Sequence, residues 1–329
     1  MQAAPITVRQ AAAKTSNHIK ITNALKPKLK KLSAWGGKQK RLTQKRLRQC
    51  TRKDEKSETE TVTTVKKHKR RENMALIISF SNQKGGVGKT STCVNVAAGI
   101  AIKGKRVLLI DIDPQGNATT GLGLSKNEQD RYSIYNVLVE EVPAKQAITA
   151  TAIKNLDIIP SNIDLAGAEV ELVYLTEREK RLRNALKPIA DDYDYILIDC
   201  PPSLGLLTIN ALTATDNVII PIQSEYYALE GLSQLLNSIK LVNKHLNPDL
   251  KIFGVVITMY DGRALISKQI NAEIHKFFGK KMFDTVIPRN IRVSEAPSHG
   301  KPVMIHDPKS NGAKAYLALA DEVIARSTK

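Results

Sequence analysis

The chain has 329 residues and a formal net charge of +18, but that charge is unevenly placed. Residues 1–73 hold 21 Lys and Arg against 5 Asp and Glu, while residues 74–329 hold 29 basic and 27 acidic residues, so the total cannot assign nucleic-acid binding to the body of the chain. Three widely separated cysteines (Cys50, Cys93, Cys200) argue against a disulfide framework or zinc site and fit a reducing compartment, and apolar runs such as 107–110 and 195–198 fall far short of the roughly 18 residues of a membrane span.

Residues 1–73 lack the apolar period of a core-forming element. Their cations cluster at Lys26, Lys28, Lys30 and Lys31, at Lys40-Arg41, and over 66–71, and their first acidic residue is Asp54. High charge and a single aromatic residue, Trp35, predict a disordered extension. Three readings of it stay open. It is an organellar transit peptide, against which stand its few serines; or a basic arm on nucleic acid; or an extension outside the functional unit, with Met74 as the start.

From Met74 the pattern alternates strand and helix. Strands are predicted over 76–81, 106–111, 156–160, 195–199, 217–221, 253–259 and 282–287. Helices are predicted over 90–103, 177–190, 229–246, 266–278 and 312–326. Near-continuous apolar strands between helices imply an α/β fold. It is doubly wound, with a mostly parallel sheet covered by helices on both faces, and 74–329 forms one domain.

The first strand runs into Gln83-Lys84-Gly85-Gly86-Val87-Gly88-Lys89-Thr90-Ser91. The general phosphate-loop pattern is G-x-x-x-x-G-K-[ST]. Gln83 occupies its first glycine position, so the strict pattern fails by one residue. The remaining glycines let backbone N–H groups turn toward phosphate oxygens, and the helix start adds a positive dipole end. Lys89 reaches β- and γ-phosphates and the Thr90 hydroxyl suits Mg2+, and Ser91, next in the loop, is a further candidate nucleotide contact. Lys84 is unusual, because an ordinary phosphate loop requires no cation there. It neutralises phosphate in its own subunit or a facing one, or it is a solvated surface lysine.

Two further strands end in carboxylates. The strand over 106–111 leads into Asp111-Ile112-Asp113-Pro114-Gln115-Gly116-Asn117, and that over 195–199 into Asp199-Cys200-Pro201-Pro202. Ligands of open α/β sheets bind beyond the carboxyl ends of strands, so both clusters belong beside the phosphates. Asp199 fits the metal-holding role, directly or through water. Asp111 and Asp113 point alternately, so that one approaches the metal and the other an attacking water. No Asn-Lys-x-Asp guanine motif follows, which favours ATP over GTP.

These motifs resemble the ParA/Soj partition ATPases, relatives of the cell-division protein MinD. The resemblance is also carried by Glu225-Tyr226-Tyr227-Ala228-Leu229-Glu230-Gly231, Thr258-Met259-Tyr260-Asp261-Gly262-Arg263, Ile287-Pro288-Arg289-Asn290 and Ser294-Glu295-Ala296-Pro297-Ser298-His299-Gly300-Lys301-Pro302. It covers essentially all of 75–326 and none of 1–73. It implies a Mg2+-dependent ATPase that forms a homodimer with ATP at its interface. Lys84 then crosses to the partner's phosphates, and Gly85 sits where the subunits approach most closely. Asp113 positions water, Asp111 and Asp199 lie near Mg2+, and Pro288 and Asn290 border the adenine. The resemblance further implies non-specific DNA binding, release by a ParB-type centromere-binding partner, a role in chromosome or plasmid segregation, and a cytoplasmic, nucleoid-associated location.

Residues 262–314 hold ten cationic residues against four acidic ones, a concentration that sequence-independent DNA binding needs. Arg263 and Arg292 are its candidate contacts. The alternative function is a MinD-like membrane-associated ATPase, which calls for a terminal amphipathic helix with a basic face. The Ala-rich 315–324 segment, with Asp321 and Glu322, reads instead as a packed closing helix, so no membrane partner is expected.

Overall fold

The structure is a computed structural model describing residues 74–328 apart from Gln129, Tyr226 and Tyr227. The predicted N-terminal extension therefore lies outside the described residues. The strands are β1 (Leu76–Phe80), β2 (Val107–Asp111), β3 (Thr149–Ala150), β4 (Leu156–Ile159), β5 (Tyr195–Asp199), β6 (Asn217–Gln223), β7 (Lys251–Tyr260) and β8 (Met282–Pro288). The helices up to β5 are α1 (Lys89–Ile102), α2 (Asn117–Gly121), α3 (Ile134–Leu138), α4 (Ala144–Ala147), α5 (Leu165–Glu171) and α6 (Arg181–Leu186). After β5 come α7 (Leu206–Ala214), α8 (Ala228–His245), α9 (Leu265–Phe278), α10 (Ile291–Glu295), α11 (Val303–His306) and α12 (Asn311–Ser327).

These strands form one sheet in the order β3-β4-β2-β5-β1-β6-β7-β8. Every pairing is parallel except the short β3–β4 edge. The doubly wound, mostly parallel fold expected from the strand pattern is what forms. Alternate residues of each central strand enter opposite cores. Ile78, Phe80, Leu109 and Leu197 pack with α1 and α12, whereas Leu108, Ile110, Ile196 and Ile198 pack with α3, α5, α6 and α7. Burial on both faces explains why β2 and β5 are apolar without alternation. On one face, α1 and α12 approach so closely that a Cβ on Gly99 would lie 2.7 Å from that of Ala320.

The structure departs from the sequence expectations in several places, and the short helices α2 to α5, α10 and α11 were not among the predicted elements. The helix predicted over 177–190 is α-helical only at α6 and continues as 3-10 turns over Lys187–Asp192. Pro188 supplies no backbone N–H and so cannot extend the α ladder. Helix α7 was not expected, and neither was the antiparallel edge strand β3. Among the described residues, no helix is long and apolar enough to cross a membrane.

The seven parallel strands all end on the same edge of the sheet. The turns after them carry the Gly-rich loop, Asp113, Ser161, Cys200, Glu225, Arg263 and Asn290. The connection from β1 runs to β2 on one side of the sheet and that from β5 runs to β6 on the other, so the winding reverses between the adjacent strands β1 and β5. Such a switch point opens a crevice at the strand ends.

Candidate nucleotide site

The loop between β1 and α1 is anchored from three directions. The Asn82 amide donates to the Pro221 carbonyl at 2.8 Å, and its Oδ1 accepts the Lys84 N–H at 3.1 Å. The Thr258 hydroxyl donates to the Val87 carbonyl at 2.8 Å, which ties the loop to β7. The Thr92 hydroxyl donates to the Gly88 carbonyl at 2.6 Å. Gly86 and Gly88 have φ of +73° and +78°, a backbone that a side chain would strain. Gly85 has no positive φ and no neighbour within 4 Å of a Cβ built on it. Nothing in its own chain therefore requires glycine at 85, and the loop's outer face is left open.

Lys89 opens α1 and is 7% exposed. Its Nζ donates back to the Lys84 carbonyl at 3.3 Å, in the geometry of a lysine folded across its own loop. Burial lowers the ammonium below the ordinary lysine value, against the opposing pull of Asp199 and Asp113. Thr90 follows at the first turn, partly buried, and the Ser91 carbonyl accepts from the Asn95 amide at 2.7 Å. Lys84 lies outside this cradle. Its Nζ sits 2.8 Å from Glu225 Oε2, and Glu225 Oε1 accepts from the Gln223 amide at 2.6 Å.

The predicted carboxylates converge and differ in environment. Asp111 and Asp199 are direct register partners on β2 and β5, and both are fully buried. Asp111 is satisfied by protein donors. Its Oδ2 accepts the Thr119 N–H and hydroxyl at 2.7 Å each, and its Oδ1 accepts the Asp113 N–H at 3.3 Å. Burial pushes its carboxyl up to about 6, while the Thr119 bonds pull the other way. Asp113 lies beyond the end of β2, in the following turn, where its Oδ1 accepts the Gln115 N–H at 2.9 Å. The alternation expected of 111 and 113 does not hold: residues two apart on a strand share a face, and what separates these two carboxylates is that the strand stops at 111.

Asp199 is the exception among them: no donor meets its carboxylate in full hydrogen-bond geometry, and the Thr90 hydroxyl is the one hydrogen-bonding group close enough to act on it. Burial first, and then the charge of Asp111, push its carboxyl well above the ordinary range, while Thr90 and Lys89 act in the opposite sense. A buried polar group without a partner is costly and calls for a ligand or ion. Among the described residues, no group of three His, Cys, Asp or Glu side chains can hold a metal alone. The donor set nevertheless fits Mg2+, which binds through one or two carboxylates and completes its shell with water and substrate phosphates.

A stability prediction follows. Without nucleotide, Asp199→Asn should stabilise the chain by about 1–3 kcal/mol, because the amide carries no buried charge. The unfolded-state pKa of Asp is near the ordinary value and the folded one is raised, so the native cost exists above about pH 4 and disappears below it. Thermal melts should show the variant several degrees higher at neutral pH and level with wild type near pH 4. An unchanged or lower melting temperature at neutral pH would contradict the strain assigned to Asp199.

The remaining candidates lie farther along the same edge. Pro288 ends β8 opposite Tyr260. Asn290 caps α10, its Oδ1 accepting the Arg292 N–H at 2.9 Å. Arg263 is 93% exposed and grips Asp261 through Nε and Nη2, at 3.1 and 3.3 Å. Arg292 is half exposed and meets Glu295 at 2.8 Å and Asp307 at 3.4 Å. Both arginines are thus already paired within the chain.

Several site neighbours carry no sequence signature of their own. Thr119 and Thr258 lie inside recognisable motifs, but only the fold reveals what they hold. Lys126 reaches back to donate to the Gln115 carbonyl at 2.7 Å, its methylenes lying over Gly116, whose φ is +59°. Ser161 follows β4, and the strand-end rule would have flagged it had β4 been placed next to β2 beforehand.

The AAA domain family matches residues 75–252. The sporulation initiation inhibitor protein Soj of Bacillus subtilis (strain 168) is 59% identical over 252 residues, which cover 77% of this chain and 99% of that protein. The chain belongs to the ParA/Soj family of partition ATPases. A second family member, the chromosome partitioning protein ParA of Myxococcus xanthus, is 53% identical over 252 residues, covering 77% of this chain and 89% of that one. Among solved structures, the cobyrinic acid a,c-diamide synthase of Mycobacterium smegmatis with bound ADP and magnesium superposes with a TM-score of 0.69 at 37% identity, over 78% of this ParA/Soj chain and 96% of the other.

Proposed function

We propose that the chain is an ATP-hydrolysing partition protein. It dimerises on ATP, binds DNA without sequence preference and is switched by a ParB-type partner that frees it from DNA, moving a chromosome or plasmid. The observation that carries the ATPase reading is Asp199, buried beside Thr90 and Lys89 with no donor in full hydrogen-bond geometry, under a loop whose outer face is open. Kinship with Soj and ParA supports the partition role.

In this reading the Gly85–Gly88 amides and Lys89 hold the phosphates of ATP. Thr90 and Asp199 hold Mg2+, and Asp111, its oxygens already occupied, takes part through water. The metal supplies charge stabilisation for the transferring phosphoryl group. Ser91 lies next along the helix start, with Pro288 and Asn290 toward the adenine. Asp113, fixed in its turn, accepts a hydrogen bond from the attacking water and orients it in line. Lys84 leaves Glu225 to neutralise phosphate charge across the dimer, an exchange that its partial exposure permits. The unoccupied space around Gly85 suits close approach of a second subunit.

The test is Asp113→Ala. ATP binding and ATP-dependent dimerisation should persist, because the phosphate cradle is untouched, while turnover falls at least about 100-fold. Size exclusion with ATP reads the first, and phosphate release the second. Normal hydrolysis by the variant rejects the role of Asp113. Failure to bind ATP moves this residue into the metal shell.

A further inference from the structure

Ser161 sits just past β4 and is 1% exposed. Its hydroxyl donates to the Asp113 carbonyl at 2.8 Å. Its own N–H donates to the Thr119 hydroxyl at 2.9 Å, and that hydroxyl donates onward to Asp111 Oδ2 at 2.7 Å. One residue thus touches the backbone of one site carboxylate and, through Thr119, the side chain of another. The sheet order makes this possible, since β4 is the neighbour of β2 and its end lies beside the Asp111–Asp113 turn.

Asp113 has no strand to hold it. Beyond Asp111 one last N–H, that of Ile112, reaches the Asp199 carbonyl of β5 at 3.1 Å, and the chain then turns through Asp113-Pro114-Gln115-Gly116 into α2, the Gly116 N–H closing the turn on the Asp113 carbonyl at 2.9 Å. Pro114 has no N–H to anchor the turn. The carboxylate is aimed by the Gln115 N–H, and the Gln115 carbonyl is in turn held by Lys126. Lys126 belongs to a solvent-facing segment, so its hold is exchangeable with water. The turn's own bonds, Gly116 N–H to the Asp113 carbonyl and Asp113 N–H to Asp111 Oδ1, fix its local shape, and the buried Ser161 hydroxyl is what ties it to β4. A group that orients water must be held to about 0.5 Å and 10–20° to work.

Resting on the ATPase reading above, we propose that Ser161 is a positioning residue for hydrolysis: its hydroxyl fixes the Asp113 backbone so that the carboxylate meets the attacking water. Ser161 itself touches neither the water nor ATP. Removing its hydroxyl leaves the Asp113 carbonyl with only the Gly116 N–H of its own turn, at 2.9 Å, and cuts the tie between that turn and the end of β4. The glycine loop, Lys89 and Asp199 belong to other elements and keep their places.

The test uses the full 329-residue chain, with phosphate release under saturating ATP and Mg2+ and equilibrium binding of ATP measured in parallel. Ser161→Ala should lower kcat about 3- to 10-fold while KM and the Kd for ATP stay within about twofold. Ser161→Cys, similar in size and a weaker donor, should fall between Ala and wild type, and it carries the test if the Ala variant does not fold. Unchanged kcat in either folded variant overturns the inference, and so does a parallel loss of binding and turnover, which marks a merely structural role. If the wild-type chain binds ATP but releases no phosphate, the ATPase reading fails and this inference goes with it. If wild type turns over and Ser161→Ala matches it, only the inference on Ser161 fails.

Discussion

Lys89→Ala is expected to remove ATP binding. The lysine opens α1 from a buried position and folds back onto the Lys84 carbonyl, so its ammonium sits inside the turn that receives the phosphates. Its lowered pKa reflects the cost of burying a cation, and that cost is tolerated because Asp199 and Asp113 face it. Alanine removes the one buried cation of the cradle and leaves two carboxylates there, so polyanionic phosphate meets unscreened negative charge. Breaking a buried charge pair costs about 3–5 kcal/mol, roughly a hundredfold to a few thousandfold in Kd. Titration calorimetry with ATP and Mg2+ reads this directly. The helix start and the glycine backbone survive the substitution, so circular dichroism should be unchanged. A variant that binds ATP as tightly as wild type would remove the phosphate-loop assignment altogether.

What was legible beforehand follows from how each signal arises. Strands β2 and β5 are buried on both faces, so they appear as unbroken apolar runs, and the Asp that ends each marks where the run meets solvent and ligand. The glycine loop was legible because its chemistry is local, a strand, a turn and a helix start in sequence. Helix α7 was not legible. Seven of its nine residues are buried, so it has no polar face to give a 3.6-residue period, and its Thr and Ile mimic a strand. The predicted 177–190 helix erred in the other direction. Its charged start carries a helical-looking pattern, but the fold bends the chain there, with Glu177 at φ +49°. Ser161 and Thr119 were illegible for a third reason. A serine or threonine near a strand end is ordinary; the turn from β2 into α2 brings Thr119 onto Asp111, and the placement of β4 beside β2 brings Ser161 onto Asp113.

The electrostatic roles of the carboxylates were also beyond the sequence. Asp111, Asp113 and Asp199 looked like interchangeable strand-end acids. The fold separates them by what they accept: Asp111 is saturated by protein donors, the Asp113 carboxylate is held by one turn N–H, and Asp199 has no donor in full geometry and only the Thr90 hydroxyl nearby. That division motivates assigning metal holding to Asp199 and water orientation to Asp113.

DNA binding by the folded body is expected only with ATP, and Arg263→Glu or Arg292→Glu should each abolish it while leaving ATP binding intact. Two charge concentrations compete for the role, residues 1–73 and residues 262–314. The first, if it binds, responds to phosphate charge and salt but not to nucleotide. The second follows the ends of β7 and β8, on the sheet edge that carries the nucleotide loop. Its two arginines are paired within the chain, Arg263 with Asp261 and Arg292 with Glu295 and Asp307. Exposed pairs of this kind are weak and salt-screened, so phosphate can displace the carboxylates, but one subunit alone then offers a partly neutralised and feeble site. A dimer places two such sites on one duplex, and the second contact gains effective concentration from the first. Loss of either arginine therefore weakens both halves at once, and reversal to glutamate adds repulsion. The measurement is DNA binding by a chain beginning at Met74, with and without ATP, over a salt series. Binding should appear with ATP, be slight without it and fall steeply as salt rises. If the shortened chain has no affinity for DNA in ATP, while the full chain binds with or without nucleotide, residues 1–73 are the DNA element and the assignment of Arg263 and Arg292 is wrong.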